Sequence, residues 1–271
     1  MRQHGDHSWC GHRELTVTAV DRLYAELAGA DGLIRGVPRH QYAEALDRAQ
    51  AYQDRALAGG LIRNVANTGR TVPYAGPGPT LHSAYLNPDV QREHFLADPF
   101  RSGQENLRIN AEYVVGQLRR ARAGRDGLRQ LGAAVHAVQD SYSGGHAWRD
   151  DAVYDGDPTA AVRALHVFTP SHLLGRDDGR NTHFGAFDQP PAGSGTARAA
   201  VEATYRILRA HELGRRDPER AELLVGDLVE PLLRAHADGV QVCLVPDEPW
   251  RAERDRRLER DKTPGQTPDG G

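Results

Sequence analysis

Apolar residues recur every three or four positions along most of this chain, whereas the every-second-residue alternation of a half-buried strand does not recur. That property confines the chain to helical architectures. Leu15, Ala19, Leu23 and Leu27 line one face of the segment Arg13 to Ala28. Tyr42, Ala45, Leu46, Ala49 and Ala56 do the same from Arg39 to Leu61, where Gly59 and Gly60 weaken the helix end. Ser102 to Ala123 turns Leu107, Ala111, Val114, Val115 and Leu118 inward. Leu128 to Tyr142 follows with Leu131, Val135, Val138 and Tyr142, and Gly144 and Gly145 stop it. Further helices are predicted near Pro158 to Val167, Ala197 to Leu213 and Asp217 to Val242. Two stretches rich in glycine and proline, Thr68 to Pro88 and Ser171 to Gly195, read as long ordered loops. The expected fold is all-α, a multi-helix bundle over residues 1–247 whose long loops carry the site, followed by a charged tail over 248–271 that lacks apolar content to bury.

Composition narrows the function. A net charge of -3 argues against a broad electrostatic grip on nucleic acid, so no stable nucleic-acid complex is expected. No run approaches the roughly 20 apolar residues that span a bilayer. Met1 to His12 is polar and has no apolar signal core. The chain as it stands is therefore expected to be cytoplasmic, exported by a route without a signal peptide, or a mature fragment or excised domain. Cys10 and Cys243 form no Cys-x-x-Cys pair and leave open only a single bridge between the two ends. There is no His-Glu-x-x-His, no Gly-x-Ser-x-Gly elbow, no P-loop and no His-Asp dipeptide.

Histidine is the unusual component, with 13 present against one methionine. The informative spacing lies in Leu131-Gly132-Ala133-Ala134-Val135-His136-Ala137-Val138-Gln139-Asp140, which leads into Ser141-Tyr142-Ser143-Gly144-Gly145-His146. His136 and Asp140 are four apart, hence on one face of a helix, one turn from each other. An imidazole and a carboxylate so placed can grip a cation such as zinc. The two glycines allow His146 to swing back toward the same centre or an adjacent one. Asp140 has two oxygens and could bridge two metals.

The pattern His-x3-Asp-x5-His, in the form "LGAAVHAVQDSYSGGHAWRD", resembles the core of the zinc-dependent phospholipase C and single-strand nuclease superfamily. The resemblance implies an all-α fold, two or three zinc ions and hydrolysis of phosphoric esters. It also implies ligands in a set order. His12, before Arg13-Glu14-Leu15-Thr16, looks like the histidine of the first ligand-bearing helix. His94, in Glu93-His94-Phe95, looks like the middle histidine, although it lies closer to His136 than the family pattern leads one to expect. Asp54, in Ala51-Tyr52-Gln53-Asp54-Arg55, resembles the acidic base, with Asp47 as its rival. The last pair is His183 and Asp188, one residue wider than the usual His-x3-acid spacing; His172 with Asp177 or Asp178 is the alternative, and His166 has no acid at the right distance. The family also uses an N-terminal tryptophan exposed by cleavage. Trp9 precedes His12, but eight residues come before it, and His4, Asp6 or His7 are possible substitutes.

Within the resemblance, zinc would neutralise phosphate oxygens and lower the pKa of a bound water to roughly 7. Asp54 would orient or deprotonate that water. His146, His183 and Asp188 would hold a second ion, and Arg149 would pair with a phosphate. The substrate is expected to be a phospholipid or a nucleotide phosphodiester, with the His-Phe and Gly-Gly-His contexts leaning to the phospholipase branch and to a transient contact with a membrane surface. Tyr74, Tyr85, Phe95, Tyr142 and Trp148 are the aromatic candidates for contact with a lipid or a base. The alternatives are a single-strand nuclease of the same fold and a non-catalytic or degenerate metal-binding scaffold, motivated by the irregular His183 to Asp188 spacing.

Overall fold

The computed structural model describes residues 11–68, 88–98, 100–124, 127–167 and 190–243, and of 54–68 and 88–90 the backbone only. The described part is mostly helical. Helix α1 spans His12–Leu27 and α2 spans Arg39–Thr68, joined by a tight antiparallel pair, β1 (Leu33–Ile34) and β2 (Val37–Pro38). Short α3 (Pro88–Glu93) precedes α4 (Gly103–Ala123) and α5 (Gly127–Asp140). After strands β3 (Ala147–Arg149) and β4 (Val162–His166) come α6 (Gly195–Gly214), α7 (Pro218–Leu224) and β5 (Gln241–Cys243). No described helix is long and apolar enough to cross a membrane.

Helix α5 is the axis of the packing. It contacts α2 and α4 extensively and α6 beside them. Every residue from Leu131 to Arg149 is buried, so this helix and the turn after it have no solvent face. A helix surrounded in this way needs small side chains where neighbours approach. Ala133, Ala134 and Ala137 meet that need. Gly132 meets it most strictly, because a methyl group there would lie 2.4 Å from Ala49 Cβ of α2. Helices α4 and α6 begin on serine caps: Ser102 Oγ accepts from Glu105 N at 3.2 Å and Ser194 Oγ from Ala197 N at 3.1 Å.

Three sequence expectations are corrected. The glycine pair at 59 and 60 does not end α2, which runs on to Thr68. The segment 158–167 is not a helix. Val162 to His166 forms the middle strand of a three-stranded sheet, antiparallel to β3 and parallel to β5. Ala164 and Leu165 favour a helix locally, but pairing on both edges and burial of all but Arg163 outweigh that preference. The segment 217–242 is not one helix either. Helix α7 gives way to a π turn (Val225–Val229) and a 3-10 turn (Glu230–Leu233), where Pro231 cannot donate the next helical hydrogen bond. Gly239, at φ 92°, then turns the chain into β5. The fold is thus helical with a small sheet rather than strictly all-α. The loops 68–88 and 171–195 and the tail 248–271 fall wholly or mostly outside the described residues.

Candidate metal centre

Helix α5 ends by presenting His136 and Asp140 from its last turn, and three other elements bring histidines to them. His12 is the first residue of α1. His94 follows α3 in a turn closed by Phe95, whose φ of 55° is left-handed and whose ring is fully buried. His146 follows the Ser143 turn, where Ser143 Oγ accepts from Gly145 N at 3.1 Å. Strand β4 clasps these last two segments: His166 N donates to His146 O at 2.9 Å, and Ala97 N donates to His166 O at 2.8 Å.

The nitrogen and oxygen atoms converge closely. His94 Nδ1, His136 Nε2 and Asp140 Oδ2 form a nearly equilateral triangle with edges of 3.0, 3.1 and 3.2 Å. His12 Nε2 lies 3.2 Å from the other carboxylate oxygen, Oδ1. One ligand atom from each of His12, His136 and Asp140 lies within 4.8 Å of the others. For four-coordinate zinc with ligands at 2.0–2.1 Å, the ligand–ligand edge is about 3.3 Å. The observed edges match that span. His146 Nδ1 is 3.8 Å from Asp140 Oδ2 and lies 2.6 Å from His94 O. A carbonyl can only accept, so Nδ1 carries the proton and Nε2 is the nitrogen His146 offers elsewhere.

The electrostatics follow from burial. Burial alone would raise the Asp140 carboxyl, but the imidazoles of His136, His146 and His12 outweigh it and hold this group well below the usual carboxylate range. Burial lowers the His136 imidazole, with Asp140 opposing and His12 and His94 adding to the shift. Both directions, a carboxyl held toward its ionised form and an imidazole whose charged form burial disfavours, are those that cation binding requires of such ligands.

The remaining expectations divide. His12, His94, His136, Asp140 and His146 are brought together as described. Asp54 lies in α2, and nothing is described of its side chain. His183, Asp188, His172, Asp177, Asp178, Trp9, His4, Asp6, His7, Tyr74 and Tyr85 lie outside the described residues. Arg149, expected to pair with a phosphate, turns inward. Its guanidinium is buried, donates to Ser141 O, Ala160 O and Ser141 Oγ at 2.7–2.8 Å, and stacks 4.1 Å over the Tyr142 ring. It braces the turn between α5 and β3. Phe95 and Tyr142 are core residues, buried too deeply to receive a lipid or a base.

Sequence reading overlooked one participant. Gln139, beside Asp140, is buried and makes four hydrogen bonds: to His12, Gln50, Thr16 and Thr204. The available signal was a glutamine inside an otherwise alanine- and valine-rich run.

The fold and site define a class: a mostly helical protein in which three buried histidines and the half-buried His12 surround one buried carboxylate. No family model matches the chain, and no curated protein or solved structure matches it.

Proposed function

We propose that this chain is a zinc-dependent phosphoric ester hydrolase acting on phosphodiester bonds in the manner of the phospholipase C and single-strand nuclease class. The convergence of His12, His94, His136 and Asp140, with edges of 3.0–3.2 Å, carries the reading. The donor set fits zinc: imidazole nitrogens and one carboxylate at tetrahedral edge length. His94, His136 and Asp140 Oδ2 would hold one ion, and His12 with Asp140 Oδ1 would contribute to another.

When bound, zinc supplies a Lewis acid for the phosphate oxygens and a water acidic enough to attack at neutral pH. The chain's own residues supply the rest. Asp140 would offer its two oxygens to the ions, Oδ2 beside His94 and His136 and Oδ1 beside His12. His146 is oriented by its Nδ1 proton on His94 O. Gly132 lets α2 approach α5 at the level of Ala49, in the helix that also carries Asp54. The phospholipase branch remains the favoured substrate class on the His-Phe and Gly-Gly-His contexts.

The test is elemental analysis of the purified chain and of a His136→Ala/Asp140→Ala double variant, with bis-p-nitrophenyl phosphate hydrolysis on the same samples. Two or three zinc ions per chain, with activity lost in the variant, is the expected result. No metal after zinc reconstitution would sink the proposal. Phosphatidylcholine vesicles and single-stranded DNA, assayed in parallel, separate the phospholipase from the nuclease. Stoichiometric zinc without hydrolysis of any of them identifies a structural metal protein.

A further inference from the structure

The buried network behind His12 has a direction. Thr204 Oγ1 donates to Ala200 O at 2.8 Å, and Thr16 Oγ1 donates to Gln50 Oε1 at 2.8 Å. Both hydroxyl protons are therefore committed, and both hydroxyl oxygens turn lone pairs toward Gln139. Each lies 3.0 Å from Gln139 Nε2, whose two N–H groups satisfy them. The opposite end of the amide is fixed in consequence. Gln139 Oε1 accepts from Gln50 Nε2 at 2.9 Å and faces His12 Nδ1 at 2.8 Å. An amide oxygen can only accept, so Nδ1 must bring the proton. Neutral His12 then carries its lone pair on Nε2, the atom 3.2 Å from Asp140 Oδ1.

Two acceptors facing each other at that distance repel unless a cation or a proton lies between them. The network thus selects the form of His12 that is poor on its own and good with a cation. In the other tautomer Nε2–H would donate to Asp140 Oδ1, and the ligand position would be closed by an ordinary hydrogen bond. We infer that Gln139 is a positioning residue that fixes His12 as its Nδ1-protonated tautomer and so keeps Nε2 available as a ligand beside Asp140 Oδ1. The inference rests on the metal-centre reading for its purpose, but its structural content holds in the metal-free chain. An outer-shell partner of this kind typically contributes 10–100-fold to metal affinity.

The experiment uses the full chain with selectively ¹⁵N-labelled histidine, stripped with chelator and studied at a pH where His12 is neutral. Long-range ¹H–¹⁵N correlation reads which ring nitrogen bears the proton. His12→Gln assigns the signal. The wild type should show Nδ1–H. Gln139→Leu, which removes the acceptor, should shift His12 toward Nε2–H and weaken zinc binding 10–100-fold in competition with a chromophoric chelator. Wild-type His12 protonated at Nε2 would overturn the inference, as would Nδ1–H persisting in a folded Gln139→Leu. Should Gln139→Leu not fold, the wild-type tautomer decides the matter. A chain that shows Nδ1–H yet binds no zinc refutes the proposed function and leaves the tautomer assignment standing.

Discussion

Among the described residues, Asp140 and Glu212 are two buried carboxylates set among histidine and tyrosine, and they are treated in opposite ways. Glu212, in α6, receives Arg35 Nε and Nη2 at 2.8 Å each and the Tyr42 hydroxyl at 2.7 Å. The guanidinium fork and the hydroxyl satisfy it, and the pair ties the β1–β2 turn and α2 to α6. Burial and the Glu212 charge together push the Tyr42 phenol up, so its proton stays in place as a donor. Asp140 is as deeply buried, but among the described residues no arginine or lysine pairs with it; its neighbours are imidazole nitrogens. Imidazoles bring one proton and one lone pair each. A carboxylate closed by N–H and O–H donors is a finished joint. One faced by His12 Nε2, His94 Nδ1 and His136 Nε2, nitrogens able to offer a lone pair, is a place for a cation.

The largest effect should come from breaking the Asp140 side. Zinc at about 1,000 times its dissociation constant should stabilise the wild type by about 4 kcal/mol. Asp140→Ala should lose that gain entirely, as read from urea unfolding with and without zinc. A zinc-induced shift surviving in Asp140→Ala would place the metal elsewhere. Arg35→Ala should do the reverse: a loss of about 2–3 kcal/mol, because a largely buried carboxylate is left without its partner, with zinc content unchanged. A fall in bound zinc would mean that the two regions are coupled.

Gly132→Ala sharpens the contrast from within the Asp140 half. The added methyl must push α2 away from α5, at a cost of about 2 kcal/mol. The same displacement should loosen the Gln50–Gln139 bond and weaken zinc binding, which chelator competition would detect.

The smallest expected effect lies beside Glu212. Burial pushes the His211 imidazole down to about 4, with Glu212 opposing and Arg35 and Arg122 adding. A histidine with a lowered folded value binds its proton more readily when unfolded. Its contribution to stability is therefore intact above the ordinary value near 6.5 and declines as pH falls from there toward 4. At pH 5 the metal-free wild type should lose on the order of 1–2 kcal/mol from this source relative to His211→Leu. Parallel pH dependence of the two unfolding midpoints would show that His211 is not the group responsible.

Much of this architecture was legible in the chain. The 3.6-residue period locates α1, α4, α5 and α6 to within a few residues, because burying a single helical face demands that spacing. The spacing of His136, Asp140 and His146 was equally legible, since two of the three lie on one turn and the glycines mark where that helix must stop. Strand β4 was not legible, because five residues of mixed preference take their form from neighbours more than 10 residues away in sequence.

Local sequence determined which segments coil and which residue types the site contains, through periodicity, capping and fixed helical offsets that need no distant partner. Only the tertiary structure decided what those residues do. It turned Arg149 inward to main-chain carbonyls, made Gln139 the centre of a four-bond network, and gave Glu212 its guanidinium while leaving Asp140 among imidazoles. The physical reason is that a polar group's role is set by the donors and acceptors that face it, and those come from helices and strands far apart in the chain.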